Sequence, residues 1–441
     1  MPLFSGTIVL ISPKSMHAWE CLGLGYLASF SYKFGYCRDQ YRFFSGEFDN
    51  DETIIAGCLD AEIIAFSVTT FQILHAERLV QEIKRKNPSV KVVWGGYGIS
   101  GLTADKLENG YGDLVDFFVQ GPGEEAWLEI LTNPDPPRVI RKGLIADLNE
   151  VPFPDRELIR IDRNLAKLES GGEGRKTSME MQRGGCPFEC VFCAAPSYTK
   201  IHGKTRTPEN IVDEMVELRD RWGMDGSSMV LMCDAEVFLT STMREVGQLK
   251  MDRKVDFKFG MNVIASDVAK PTHWPTLEIL ANAGLEEVWM GVEAGPSLMH
   301  LTNKPINPDQ VRQAFKITRD LGIIRKAYFI LGFTPFETKE TILERIDFIE
   351  EIDPDVVGFS LYIPVPGSKG YDHQKHHQID YAKSCEYFNT YTRTETLTNE
   401  ELQYWQNYLV DYFSDRITYR QQNNETNSMI RLKELAGRSG Y

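Results

Sequence analysis

The chain has 441 residues, 42% hydrophobic and 25% charged, and its 48 basic and 63 acidic residues leave a net charge of −15. That length exceeds one ordinary domain, and the composition is that of a soluble globular protein with two or three cores. No run reaches the ~18 apolar residues of a membrane span, and the acidic balance disfavours a nucleic-acid partner, which needs a basic surface. The opening "MPLFSGTIVLIS" lacks the basic flank and cleavage site of a signal peptide, so cytoplasmic residence and a monomer are expected.

The first 130 residues alternate strands and helices. "GTIVLIS" (6–12), "AEIIAFSV" (61–68), "VKVVWGG" (90–96) and "VDFFVQG" (115–121) read as strands. Helices are expected over 22–35 and after 72, where Leu79, Val80 and Ile83 share one face. Continuously apolar strands separated by helices imply an α/β domain with a doubly wound, Rossmann-like parallel sheet over residues 1–135. Such a sheet binds ligands at the carboxyl ends of its strands. "SVTTF" (67–71), "GGYGIS" (95–100) and "GPGEE" (121–125) fall there. Prolines at 134, 136, 137, 152 and 154 mark residues 136–175 as an extended linker.

Alternation resumes at 176. Strands are expected near 176–182, 229–233, 256–263, 287–292, 327–331 and 356–361, and helices near 208–222, 240–250, 275–283, 308–321 and 338–351. Thr207 as cap, Pro208 in the first turn and Ile211, Met215 and Leu218 on one face sign the first of these helices. Six β/α units over 176–370 make a partial (β/α)6 TIM-type barrel, with function expected at the carboxyl ends of its strands. Residues 371–441 read as a small helical region, with "TLTNEELQYWQNYLVDYF" amphipathic and a polar tail past 422.

Five of the eight cysteines are scattered and read as small buried hydrophobes. Cys186, Cys190 and Cys193 differ: "RGGCPFECVFCAAP" spaces them as C-x3-C-x2-C, directly after the first barrel strand. A tetrahedral zinc site would need a fourth ligand, and His202, nine residues on, matches no common zinc spacing. Three thiolates on a [4Fe–4S] cubane bind three irons and leave the fourth open to an exogenous ligand.

This spacing, with aromatic Phe192 before the last cysteine, resembles the signature of the radical S-adenosylmethionine (SAM) superfamily. The resemblance extends along the barrel and implies that SAM chelates the open iron. Asp234 and Glu236 of "CDAEVF" match the acidic motif that holds the SAM amino group, and Asn262 of "GMN" faces its carboxylate. Glu293 of "MGVEAG" matches the fourth-strand motif, Ile330 and Gly332 of "YFILGFTPFET" the adenine-packing segment, and "PVPGS" (364–368) the closing segment. Read alone, Asp234 or Glu236 is a solvated strand-end carboxylate, Asn262 a turn cap and Gly332 a tight bend.

The first domain resembles the cobalamin-binding domain that precedes the barrel in one radical SAM class. That resemblance implies contacts from Ser67, Thr69, Thr70, Gly95, Gly96, Tyr97, Gly121, Gly123 and Glu124. The cobalt-ligating D-x-H-x-x-G string is absent; His17 and His75 are the domain's histidines and neither has that context. Together the two resemblances imply a class B C-methyltransferase using a [4Fe–4S] cluster, SAM and methylcobalamin. A 5′-deoxyadenosyl radical would take hydrogen from an sp3 carbon, which then receives the methyl group. The implied substrate is a protein or peptide residue, as in the glutamine C-methyltransferase of methyl-coenzyme M reductase, or a small metabolite, with ferredoxin or flavodoxin as electron donor. Tyr362, Tyr371 and "HQKHH" are candidates for the substrate side, a bland surface loop being the alternative. Other readings are a ring-forming or rearranging cobalamin enzyme, a cobalamin or SAM sensor, and a methylthiotransferase whose second cluster would use Cys21, Cys37 and Cys58.

Overall fold

A computed structural model describes residues 3–14, 20–170, 174–184, 186–199, 203–381, 384–385 and 387–417. His17, His202 and the polar tail past 422 lie outside the described residues.

The first sheet is built from β1 (Thr7–Ser12), β2 (Tyr41–Ser45), β3 (Ala61–Ser67), β4 (Lys91–Gly95), β5 (Phe117–Gln120) and β6 (Val139–Arg141). All pairs are parallel, in the order β2-β1-β3-β4-β5-β6. The alternation inside β1 explains the two coats. Ile8 and Leu10 point into a core with Leu24, Ala28, Trp127 and Ile130 from helices Leu22–Tyr32 and Glu124–Thr132. Val9 and Ile11 point into the opposite core, with Leu79, Val80 and Ile83 of helix Ile73–Lys86. The chain order reverses between β1 and β3, and ligands of such sheets bind outside that switch point.

Two of these strands were not legible in the sequence. β2 is only five residues, bounded by polar segments, and β6 is a three-residue edge strand flanked by prolines, a place where proline is tolerated. The expected linker 136–175 carries, after β6, a short turn of helix, Leu148–Glu150, and helix Ile161–Ser170. The helix expected over 22–35 ends at Tyr32.

The second sheet comprises β7 (Lys176–Met179), then, after a ribbon of β8 (Gln182–Arg183) and β9 (Lys204–Thr205), β10 (Met229–Met232), β11 (Lys258–Asn262), β12 (Leu285–Glu293), β13 (Ile324–Leu331) and β14 (Val356–Leu361). Its order β14-β13-β12-β11-β10-β7 is parallel throughout, as a partial barrel requires. Helix Pro208–Trp222 has the expected start: the Thr207 hydroxyl accepts the Asn210 amide, and Gly223 ends the helix in the left-handed conformation. The antiparallel pair β8–β9 clasps the base of the segment that carries the three neighbouring cysteines. At the opposite, amino-terminal end of the barrel, Lys250 is 1% exposed. Its ammonium donates to the carbonyls of Val255 (2.8 Å), Phe257 (2.7 Å) and Ala283 (2.8 Å).

Candidate functional site

The cysteine loop leaves β8 at the carboxyl mouth of the barrel. Cys190 is buried, and Cys186 and Cys193 are half-buried. Backbone bonds shape it: Cys193 N–H donates to Cys190 O (3.1 Å), and Ala195 N–H to the Cys193 sulfur (3.4 Å). Phe188 anchors it edge-on against Phe238 with ring centres 6.0 Å apart, and Phe192 is half-buried within it. Neighbouring loops hold it from outside. Val191 N–H donates to Thr302 O (3.0 Å), Asn303 Nδ2 to Glu189 O (2.7 Å) and Gly370 N–H to Val191 O (2.7 Å).

Burial pushes all three thiols above the ordinary cysteine range, Cys190 up to about 12. The thiols act on one another electrostatically, and Lys304 acts on each in the opposite sense, favouring ionisation. Among the described residues, no group of three or more His, Cys, Asp or Glu side chains meets around a single ion position. The donor set fits a soft, multi-iron centre: buried thiols gain a reason to ionise only when metal cations share their space.

Asp234 and Glu236, next to each other after β10, take different parts. Asp234 is 4% exposed, and its carboxylate accepts the amides of Gln182 (2.8 Å) and Met181 (3.2 Å). It therefore braces the chain entering the cysteine loop; burial, opposed by these amides, pushes it up to about 6. Glu236 is also buried, yet its Oε1 has no hydrogen-bond partner among the described residues. Burial pushes it up to about 7, and it acts electrostatically on Cys186. An unpaired buried carboxylate oxygen beside the thiols suits an incoming ammonium group. Asn262 donates its side-chain amide to Asp234 O (3.1 Å) and so stiffens the same corner.

Glu293 ends β12 with φ 70°, a strained left-handed conformation for a non-glycine residue. Its carboxylate accepts from Lys304 Nζ at 3.0 Å, and the same ammonium donates to Gly291 O at 2.7 Å. Sequence reasoning missed Lys304, which "LTNKP" does not distinguish from a surface lysine. Gly332 follows β13 with φ 75°, and a Cβ there would lie 2.4 Å from the Thr392 methyl. Its N–H is taken by the buried Glu337, itself paired with buried Arg345. Ile330 joins Val191 and Tyr362 around the small apolar cluster of Ala294, Leu298 and Phe333.

The nine first-domain candidates sit at the carboxyl edge of its sheet. The Ser67 side chain bonds Cys21. Thr69 N–H donates to Gln72 Oε1 (2.9 Å), and Thr70 opens the short turn Thr70–Gln72. Gly95 ends β4, Gly96 (φ 98°) turns the chain after it, and Tyr97 is 58% exposed. Gly121 donates its N–H to the Ser100 hydroxyl (3.0 Å), and Gly123 packs on Leu27. Glu124 is engaged elsewhere, paired with Arg183, whose guanidinium stacks 4.3 Å over the Tyr26 ring.

That pair is one of several bonds joining the two domains. Glu20 accepts from Ser178 N–H (2.9 Å), Arg156 bridges Glu214 (2.7 Å) and Glu20 (3.7 Å), and Arg141 donates to Ser197 O (3.0 Å). A Cβ on Gly101 would lie 2.3 Å from Pro366 O, so the loop after β4 touches the segment closing the barrel, backbone against backbone. A small cavity in this seam is lined by Tyr26, Glu180, Gln182, Arg183 and Arg206, and burial pushes Glu180 up to about 8. The two sheets thus present their carboxyl ends to one another.

Cys21 packs in the core on one face of the first sheet, Cys58 in the core on the other, and Cys37 is exposed. These three do not converge as a second-cluster site.

Comparison with known proteins agrees with this architecture. Residues 17–131 match the B12 binding domain and residues 183–349 the radical SAM superfamily, together more than half of the chain. The chain therefore belongs to the cobalamin-binding branch of the radical SAM superfamily, whose cofactors are a [4Fe–4S] cluster, SAM and cobalamin. An uncharacterized methyltransferase of Pyrococcus horikoshii is 24% identical over 340 residues, 70% of this chain and 68% of that protein. The anaerobic magnesium-protoporphyrin IX monomethyl ester cyclase of Rubrivivax gelatinosus is 25% identical over 70% of this chain, which spans 58% of the cyclase. The radical SAM methyltransferase TsrM of Kitasatospora setae, solved with cobalamin and a [4Fe–4S] cluster, has the same fold: TM-score 0.63, 18% identity, covering 83% of this chain and 77% of that one. Among the described residues no helix is long and apolar enough to cross a membrane.

Proposed function

We propose that this chain is a cobalamin-dependent radical SAM methyltransferase acting on an unactivated sp3 carbon. The observation that carries the reading is the juxtaposition of three buried or half-buried thiols and a Glu236 oxygen unpaired among the described residues with the carboxyl edge of a second parallel sheet. When bound, the cluster and SAM supply a carbon-based radical and methylcobalamin supplies the methyl group. Cys186, Cys190 and Cys193 would hold the cluster, Glu236 the SAM amino group, and Ile330 and Gly332 the adenine. Ser67, Thr69, Thr70, Gly95, Gly96 and Tyr97 would approach the corrin and its tail. Asp234, Asn262 and Glu124, being engaged within the protein, would act by holding these elements in register.

The substrate would enter between the two edges. Tyr381, whose ring meets Phe71 of the first domain at 5.8 Å, lies within electrostatic reach of Tyr362, Tyr371 and Tyr391. This aromatic wall suits a peptide side chain or a small molecule with flat apolar surface, and the glutamine of methyl-coenzyme M reductase is the particular peptide candidate. Ferredoxin or flavodoxin would supply electrons. A ring-forming outcome is the second reading, favoured by the similarity to the Rubrivivax cyclase.

The test is anaerobic reconstitution with hydroxocobalamin, SAM, a reductant and candidate peptides or metabolites, followed by mass spectrometry. Methyl transfer predicts a product heavier by one methyl replacing hydrogen, with 5′-deoxyadenosine and S-adenosylhomocysteine alongside. Deoxyadenosine with a product that has only lost hydrogen would favour ring formation and sink methyl transfer.

A further inference from the structure

The thiols, Glu236 and Glu293 crowd negative charge, actual or latent, into the mouth of the barrel, and the Lys304 ammonium stands among them. Lys304 is held there by structure on every side. Thr302 and Asn303, the two residues before it, hydrogen-bond the cysteine loop at Val191 and Glu189. Asn303 is left-handed (φ 54°), which turns the chain so that Lys304 follows inward. Its Nζ is then held by Gly291 O and Glu293, and a Cβ at Gly291 would lie 2.5 Å from that nitrogen, so a side chain there would have to displace it. Glu293 keeps its strained backbone in making this pair. Lys304 is thus tied to the cysteine loop by neighbouring backbone and to the barrel by an ion pair.

We propose that Lys304 is the counter-charge of the iron–sulfur centre: a positioning residue, delivered by Thr302 and Asn303, that sets how readily the centre accepts an electron. The inference rests on the cluster reading but not on methyl transfer. A cluster on three thiolates is anionic, and it gains one further negative charge when a ferredoxin- or flavodoxin-type donor passes it one electron. In a site of low polarity that gain is opposed unless a cation stands nearby, and net charge is among the factors that set such potentials. Lys304 offsets it without leaving its own ion pair.

The experiment is a mediated potential titration of anaerobically reconstituted wild type, Lys304→Gln and Lys304→Arg, followed by electron paramagnetic resonance with iron and sulfide counted on each sample. At the potential where wild type is half reduced, Lys304→Gln with full iron should show a reduced-to-oxidised ratio about tenfold lower, ~59 mV for a one-electron couple. Lys304→Arg should stay close to wild type. If Lys304→Gln holds no cluster while Lys304→Arg does, the positive charge is needed even for assembly, which supports the proposal more strongly. A fully loaded Lys304→Gln that titrates with wild type overturns it. So does an Arg variant that behaves as the Gln variant, because shape rather than charge would then matter. A wild type that assembles no cluster would overturn the cluster reading itself, and the role of Lys304 with it.

Discussion

A buried lysine and a half-buried one stand at opposite ends of one barrel. Lys250, at the amino-terminal base, has three carbonyl partners and no carboxylate, and burial pushes it down to about 8. Lys304, at the carboxyl mouth, has a carboxylate at 3.0 Å and is pushed upward by Glu293 and Glu236 despite its burial. The base spends a cation to close chain ends, whereas the mouth keeps one among groups that are themselves incompletely satisfied. A substitution at the base should therefore cost stability and leave cofactor binding alone, and a substitution at the mouth should do the reverse.

The sharpest trial of that division is Cys190→Ala. Iron per chain should fall from about four to near none, while the metal-free protein changes in urea stability by less than about 1 kcal/mol. A large loss of stability would mean that the loop is structural in its own right. Arg183→Met probes the exception, a mouth residue that joins the domains. It leaves Glu124 buried and unpaired, so a loss of about 3–5 kcal/mol is expected, seen as a lower urea midpoint.

Lys250→Met should cost about 3 kcal/mol, since three carbonyls lose their donor, with iron content unchanged. Its pH dependence has a defined sign. Between about 8 and the ordinary lysine value of 10.5, the unfolded chain still holds a proton that the folded chain has released. Stability of wild type relative to the Met variant should therefore rise across that window. A difference that stays flat in paired urea titrations would show that the lysine remains charged when folded. The smallest effect belongs to Glu236→Gln. SAM affinity should drop about tenfold, ~1.4 kcal/mol, with a full cluster, as read by equilibrium dialysis; unchanged affinity would remove Glu236 from the SAM site.

Much of the scaffold was legible because it is written in long periodic segments. Helix Pro208–Trp222 matches its cap, its proline and its apolar face, and β14 matches residue for residue. Both coats of the first sheet followed from continuous apolar runs, and the six barrel strands from the alternation of strand and helix segments. β2 and β6 escaped because five- and three-residue strands hold too little pattern. Within the site, the cysteine spacing is local and could be read directly. The division between Asp234 and Glu236 could not, because it depends on which carboxylate meets the amides of Met181 and Gln182 from another strand. Lys304 was hidden for a similar reason: its place is made by a left-handed Glu293, a glycine at 291 and a loop more than a hundred residues earlier.

The contact of Gly101 with Pro366 bears on how the molecule is made. The first sheet is complete once Arg141 has emerged, but the segment that closes over its carboxyl edge is synthesised last among the barrel strands. At about 5–20 residues per second, the interval is on the order of tens of seconds. During that time the nascent chain offers an open edge, with the loops after β3 and β4 already formed and nothing above them. The order of synthesis thus leaves that edge open to a large flat ligand before the protein is finished, and the contact of Gly101 with Pro366 forms only afterwards.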